Sequence, residues 1–162
     1  MEFNKGKIPD ALINQLVKFV DERGFLIETF RIDQLPFGLM PSMSYVSYTE
    51  PGVGRGPHEH EFQTDVFSFI GPANFKIYLW DNRPGSISFG LRQIVFGGGD
   101  NPITVIVPPG VVHGYKNISR NERGMVLNYP DKLYAGEGKK SKVDEIRHED
   151  GHDMFYKEFI SL

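Results

Sequence analysis

Arg55-Gly56-Pro57-His58-Glu59-His60 sets one arginine and two histidines within six residues, directly after the turn-rich run Thr49-Glu50-Pro51-Gly52-Val53-Gly54. Further along comes Pro108-Pro109-Gly110-Val111-Val112-His113-Gly114-Tyr115-Lys116-Asn117. The chain has five histidines, and three of them fall in these two Gly/Pro-framed segments. Imidazole is the side chain most readily used near neutral pH as a base or as a metal ligand. Either use requires His58, His60 and His113 to meet in space.

Outward from these segments the chain reads as short strands between breakers. Phe25–Arg31, Met43–Tyr48, Asp65–Ile70, Phe75–Trp80, Arg92–Phe96, Ile103–Val107 and Gly124–Tyr129 are apolar or alternating runs. Gly71-Pro72, Asn82-Arg83-Pro84-Gly85, Gly97-Gly98-Gly99-Asp100-Asn101-Pro102 and Pro108-Pro109-Gly110 separate them. Many short strands with regular turns predict an all-β sandwich or barrel. Helical spacing of Leu12, Ile13, Leu16, Val17 and Val20 behind a capping Asp10 predicts one helix over residues 10–20. Shorter peripheral helices are expected over Val143–His148 and Met154–Ile160. No linker interrupts the pattern, so residues 1–162 read as one domain.

Composition removes several classes of function. A net charge of −3 gives no basic field for nucleic acid. The absence of cysteine removes disulfides, thiol nucleophiles and thiolate metal sites. No apolar run reaches membrane-spanning length. The start, Met1-Glu2-Phe3-Asn4-Lys5, lacks a secretion-signal pattern, and a cytoplasmic setting is expected. Gly97-Gly98-Gly99-Asp100 lacks the Lys-Ser/Thr of a phosphate loop.

Gly52 followed by His58-Glu59-His60, and Pro108-x-Gly110-x-x-His113-x-x-x-Asn117, resemble the two motifs of cupins, which are small jelly-roll barrels. Within that group the chain resembles the dTDP-4-dehydrorhamnose 3,5-epimerase family. The resemblance rests on Asp21-x-Arg23-Gly24-Phe25-x-x-Glu28-x-Phe30, Arg55-Gly56-x-His58, Asp81-x-Arg83-x-x-Ser86-x-x-Phe89-Gly90, and Pro109-Gly110-Val111-Val112-His113-Gly114 followed by Tyr134. It implies a homodimeric, cofactor-free enzyme of polysaccharide biosynthesis that inverts C3, C5 or both of a nucleotide-linked 4-keto-6-deoxy sugar. It further implies His58 as the base and Tyr134 as a catalytic tyrosine. Arg23, Glu28, Arg55, His60 and His113 become substrate contacts, with Arg23 and Arg55 near phosphate or enolate and His113 in the pocket wall.

The chain also departs from that family. The family's lysine near the ketone falls at Thr64, and its first tyrosine falls at Asn128. Tyr129 replaces Asn128 only across a bulge, because neighbouring strand residues face opposite ways. The aspartate that orients the base has no match other than Asp144 or Asp153.

Two other readings stand beside this one. His58 and His60 share a strand face, and with His113 and Asp65 they form a ligand set for a divalent transition metal, as in a cupin isomerase or dioxygenase. Alternatively the chain binds a sugar nucleotide without turning it over. Asp81 and Arg83 are expected to be structural, and His148 and His152 solvated.

Overall fold

The computed structural model describes residues 2–149 together with Tyr156 and Phe159. Its strands are β1 (Asn4–Lys5), β2 (Leu12–Gln15), β3 (Lys18–Asp21), β4 (Gly24–Ile27), β5 (Tyr45–Thr49) and β6 (Gly54–Glu59). They continue with β7 (Asp65–Pro72), β8 (Asn74–Asp81), β9 (Leu91–Gly98), β10 (Ile103–Val107), β11 (Val111–Asn117), β12 (Gly124–Asn128) and β13 (Ile146–Arg147). One sheet runs β1-β9-β8-β11-β6-β13 and the second β2-β10-β7-β12-β5, with β3 and β4 forming a separate hairpin. This is the all-β sandwich that the strand pattern predicted and that the resemblance to cupins implied. Ile32–Gln34 and Glu137–Lys139 are short 3-10 turns, and Phe159 is helical. Among the described residues no helix is long and apolar enough to cross a membrane.

The pleat of β8 organises the core. Phe75, Ile77 and Leu79 point between the sheets, where they meet Phe67, Phe69, Val105 and Tyr115. Tyr78 and Trp80 point the other way, into a second cluster with Val112, Tyr156 and Phe159. A strand covered on both faces reads as a continuous apolar run, as this one does. Each such aromatic or branched side chain contributes about 1.5–3 kcal/mol on burial. Close approach has its own demand: a Cβ at Gly124 would stand 2.0 Å from Phe75 Cζ, so only glycine leaves room for that ring.

Three expectations need correction. Residues 10–20 are not helical; they form β2 and β3. The sheet edge decides this, because β2 pairs with β10 from Gln15↔Ile103 to Leu12↔Ile106. The β-branched Ile13, Val17 and Val20 suit an extended chain, and Val17 and Val20 remain exposed instead of forming a buried stripe. Residues 143–148 are likewise not helical, since β13 adds to the free edge of β6 through Ile146↔Glu59 and Arg147↔His58. The helix expected over Met154–Ile160 lies largely outside the described residues. The strand predicted over Phe25–Arg31 stops at Ile27. Both histidine segments, bracketed by turn residues in the sequence, turn out to be the paired strands β6 and β11.

Asp81, at the end of β8, is structural as expected. Its buried carboxylate accepts from Arg83 Nε at 2.9 Å, Ser86 Oγ at 2.6 Å and Ser88 Oγ at 2.5 Å. Arg83 also reaches Asp10, at 2.6 Å, so Asp10 anchors this turn and does not cap a helix. Burial opposes ionisation of Asp81, but these hydrogen bonds outweigh it and hold the carboxyl well below the usual range. A depressed folded pKa gives stability that is present above the unfolded value and lost as pH falls through the folded one. Asp81→Asn should therefore cost about 1–3 kcal/mol in urea unfolding at pH 7. The gap to wild type should narrow as pH drops below about 4.

Candidate active site

β6 and β11 lie side by side, with His58 opposite His113. Strand alternation places His58 and His60 on one face. Arg55 is three residues from His58 and would ordinarily face away. The register answers this: Tyr115 pairs with Arg55 and His113 with His58, so three steps on β6 match two on β11. A bulge of this kind turns Arg55 and His58 to the same side. Gly56 sits within it at φ 87°, where a Cβ would come 2.7 Å from the His113 carbonyl. The glycine of the Arg-Gly-x-His motif is thus a geometric requirement.

These side chains open onto a cavity of about 510 Å³ whose lining includes Tyr45, Arg55, His58, His60 and Tyr134. Arg55 is braced at its rim by Thr49 Oγ1 at 3.1 Å and by the Tyr48 carbonyl at 2.6 Å. The His58 ring packs edge-on against His113, with centroids 4.4 Å apart, and against His60 at 5.3 Å. Burial, then the neighbouring His113 and His60, push its pKa down to about 2, so the ring is neutral at pH 7.

Behind His58 lies Asp65, the first residue of β7 on the facing sheet. Its Oδ2 is 3.1 Å from His60 Nε2 and 3.2 Å from His113 Nε2. Its Oδ1 accepts from Asn128 Nδ2 at 2.8 Å and Gln63 Nε2 at 2.9 Å. Burial opposes ionisation of Asp65, but the two histidines prevail and hold the carboxyl below its ordinary range. Burial likewise opposes a proton on His60, and Asp65 more than offsets it, so that pKa is raised.

Several expected contacts are placed elsewhere. Arg23 is exposed at the tip of the β3–β4 hairpin and pairs with Asp21, while Glu28 pairs with Arg31 at 3.2 Å. Neither lines the cavity, because this hairpin stands apart from both sheets. His113 is buried behind His58 and is not part of the lining wall. Tyr129 does not replace Asn128: its hydroxyl bonds Thr29 Oγ1 at 2.7 Å and its ring meets Phe30, while Asn128 faces Asp65. Asp144 does not orient His58. Its carboxylate accepts the backbone N–H groups of Glu61, Phe62 and Gln63, and its carbonyl accepts from His60 Nδ1. Asp153 and His152 lie outside the described residues. His148 is not solvated, since its Nε2 lies 2.9 Å from Glu59 Oε1 and its ring packs on Tyr156.

The cavity also holds residues to which the sequence reading assigned no role. Tyr45 lines it and accepts from Asn128 Nδ2 at 2.9 Å. Burial, and then the charge of Asp65, raise its pKa, so the phenol keeps its proton at neutral pH. Lys132 and Lys142 bring positive charge to the same lining. The signal for Lys142 was the run Gly138-Lys139-Lys140-Ser141-Lys142, which reads from sequence as a solvated tail.

A profile of the dTDP-4-dehydrorhamnose 3,5-epimerase family matches residues 5–149. The probable low-salt glycan biosynthesis epimerase of Haloferax volcanii is 33% identical over 128 residues, which cover 78% of this chain and 81% of that protein. The crystal structure of a dTDP sugar isomerase from Desulfovibrio desulfuricans G20 superposes with a TM-score of 0.79 at 20% identity, covering 91% of this chain and 89% of that one. The dTDP-6-deoxy-D-glucose-3,5-epimerase of Legionella pneumophila Philadelphia 1, in complex with dTDP-4-keto-L-rhamnose, gives 0.73 at 22% identity over 90% and 76% of the two chains. The structural matches establish the fold; the profile and the archaeal relative establish kinship. The chain belongs to the dTDP-4-dehydrorhamnose 3,5-epimerase family.

Proposed function

We propose that this protein inverts C3, C5 or both of a dTDP-linked 4-keto-6-deoxy sugar, with His58 as the base. The observation that carries the reading is the position of His58: it lines the cavity on the same side of β6 as Arg55, and its ring has no hydrogen-bond partner among the described residues. Family membership supports an epimerase over a dioxygenase and over a non-catalytic binder. The dTDP-sugar held by the Legionella relative supports the substrate class.

The chemistry follows from the groups present. A C–H bond beside the C4 ketone breaks, its proton passes to His58, and the electron pair moves onto the ketone oxygen as an enolate. Cationic Arg55, Lys132 and Lys142 line the same cavity and favour that negative charge. Inversion then needs a proton delivered to carbon from the opposite face of the ring. Tyr45 and Tyr134 are the phenols in the lining, and Asn128 already donates to Tyr45, leaving its own proton free to leave. These two transfers need no organic cofactor.

A homodimer and a cytoplasmic setting belong to the same proposal. Val20, Phe25 and Leu26 are exposed on the β3–β4 hairpin, a face suited to a second copy of the chain. Such pairing would also explain Arg23 and Glu28, which a single chain leaves away from its own cavity.

Incubation with dTDP-4-keto-6-deoxyglucose in D2O should place deuterium at C3 or C5, read by NMR, and His58→Asn should lower that rate by about 10²–10⁴-fold. No label from any dTDP-4-keto sugar would falsify the reading. Tyr45→Phe and Tyr134→Phe separate the proton donors: the variant of the true donor should still exchange label at the carbon while losing net inversion.

A further inference from the structure

Beneath His58 lies a cluster that these proton transfers leave unused. His113 Nδ1 stands 2.9 Å from the Val111 carbonyl, and His60 Nδ1 contacts the Asp144 carbonyl. A carbonyl only accepts, so each Nδ1 carries the proton, and in a neutral imidazole Nε2 is then a bare lone pair. Both Nε2 atoms are aimed at Asp65 Oδ2, itself an acceptor, at 3.1 and 3.2 Å. Gln63 Nε2, at 3.2 Å, supplies a donor to His60 Nε2. Nothing among the described residues supplies one to Asp65 Oδ2 or His113 Nε2, and both atoms are buried. Acceptors facing one another at this distance repel, so the arrangement calls for a cation between them, either a second proton on each ring or one metal ion.

The spacing suits a metal ion. Metal–nitrogen and metal–oxygen bonds of about 2.0–2.2 Å set neighbouring ligand atoms roughly 2.8–3.6 Å apart, from octahedral to tetrahedral geometry. The surroundings suit one as well. Backbone carbonyls fix both histidine rings, and Asn128 and Gln63 hold Asp65 Oδ1 so that Oδ2 faces inward. Such outer bonds are the usual means of fixing metal ligands. His58 offers a fourth ring nitrogen within 4.8 Å of the other three ligand atoms. Unlike them, it has no bond that orients its ring.

We propose that His60, His113 and Asp65 hold a divalent transition-metal ion, with His58 on its open side. Two imidazoles and a carboxylate select zinc, iron, nickel or copper over magnesium or calcium. The inference does not rest on the epimerase reading, and its test involves no turnover.

Chelator-free, untagged full-length protein should carry about one ion per chain by elemental analysis, or take up about one Co2+ or Zn2+ per chain after stripping. Bound Co2+ should give visible d–d absorption, and Zn2+ should raise Tm. Asp65→Asn and His113→Gln should weaken Co2+ binding by at least ~10-fold, and His58→Asn should retain the ion. Where a ligand variant fails to fold, 15N NMR of the wild-type imidazoles decides instead. Zn2+ should shift the Nε2 resonances of His60 and His113. Failure to bind either probe, with both rings doubly protonated at pH 7, would show that the cation is a proton and overturn the proposal. Unchanged Co2+ affinity in folded Asp65→Asn, or loss of the ion in His58→Asn, would overturn the ligand assignment.

Discussion

One buried carboxylate joins the halves of this molecule. Asp65 begins β7 in one sheet and faces His60 and His113, which come from β6 and β11 in the other. A charge so enclosed is tolerated only where its neighbours compensate it. Asn128 and Gln63 donate to its Oδ1, and its Oδ2 faces the two histidines. Their positions are therefore coupled, and through the ring contact of His113 with His58 so is the proposed base. The mouth of the sandwich is held by polar contacts, while its centre is held by packed aromatic rings.

The substitution of asparagine for the family tyrosine at position 128 belongs to this arrangement. Asn128 is fully buried, and its side chain donates to Asp65 and Tyr45 and accepts from the Val66 N–H at 3.1 Å. An amide offers two donors together with its acceptor, one donor more than a phenol. A phenol nevertheless stays nearby in Tyr45, on the adjacent strand β5. Tyr45 and Asn128 are two parts of one hydrogen-bonded arrangement around Asp65.

The sequence made some of this readable and hid the rest for physical reasons. Strands β7, β8, β10 and β12 were legible because alternation or a bounded apolar run marks them directly. Residues 12–20 misled because Leu12, Ile13, Leu16, Val17 and Val20 satisfy helical spacing, whereas the partner that makes them strands, β10, lies far away in the chain. Strands β6 and β11 were obscured by the glycines and prolines their function requires. The Arg55–His58 spacing contradicts alternation unless a bulge intervenes, and only the register against β11 shows it. Asp65 was visible as a metal-ligand candidate from its offset to His60. Asp144 stood out only as a candidate to orient the base, and Lys142 not at all, because a site assembled from the end of the chain leaves no local signature.

That last segment gives the cavity a divided construction. Lys142, Glu145 and Arg147 form part of its wall, yet they belong to a short ribbon laid along the edge of β6 and contribute nothing to the aromatic interior. The outer positions Lys142, Glu145 and Arg147 can therefore change the cavity wall without repacking the aromatic rings, whereas Asp144, which holds His60 and the backbone of Glu61, Phe62 and Gln63, ties the same ribbon to the site.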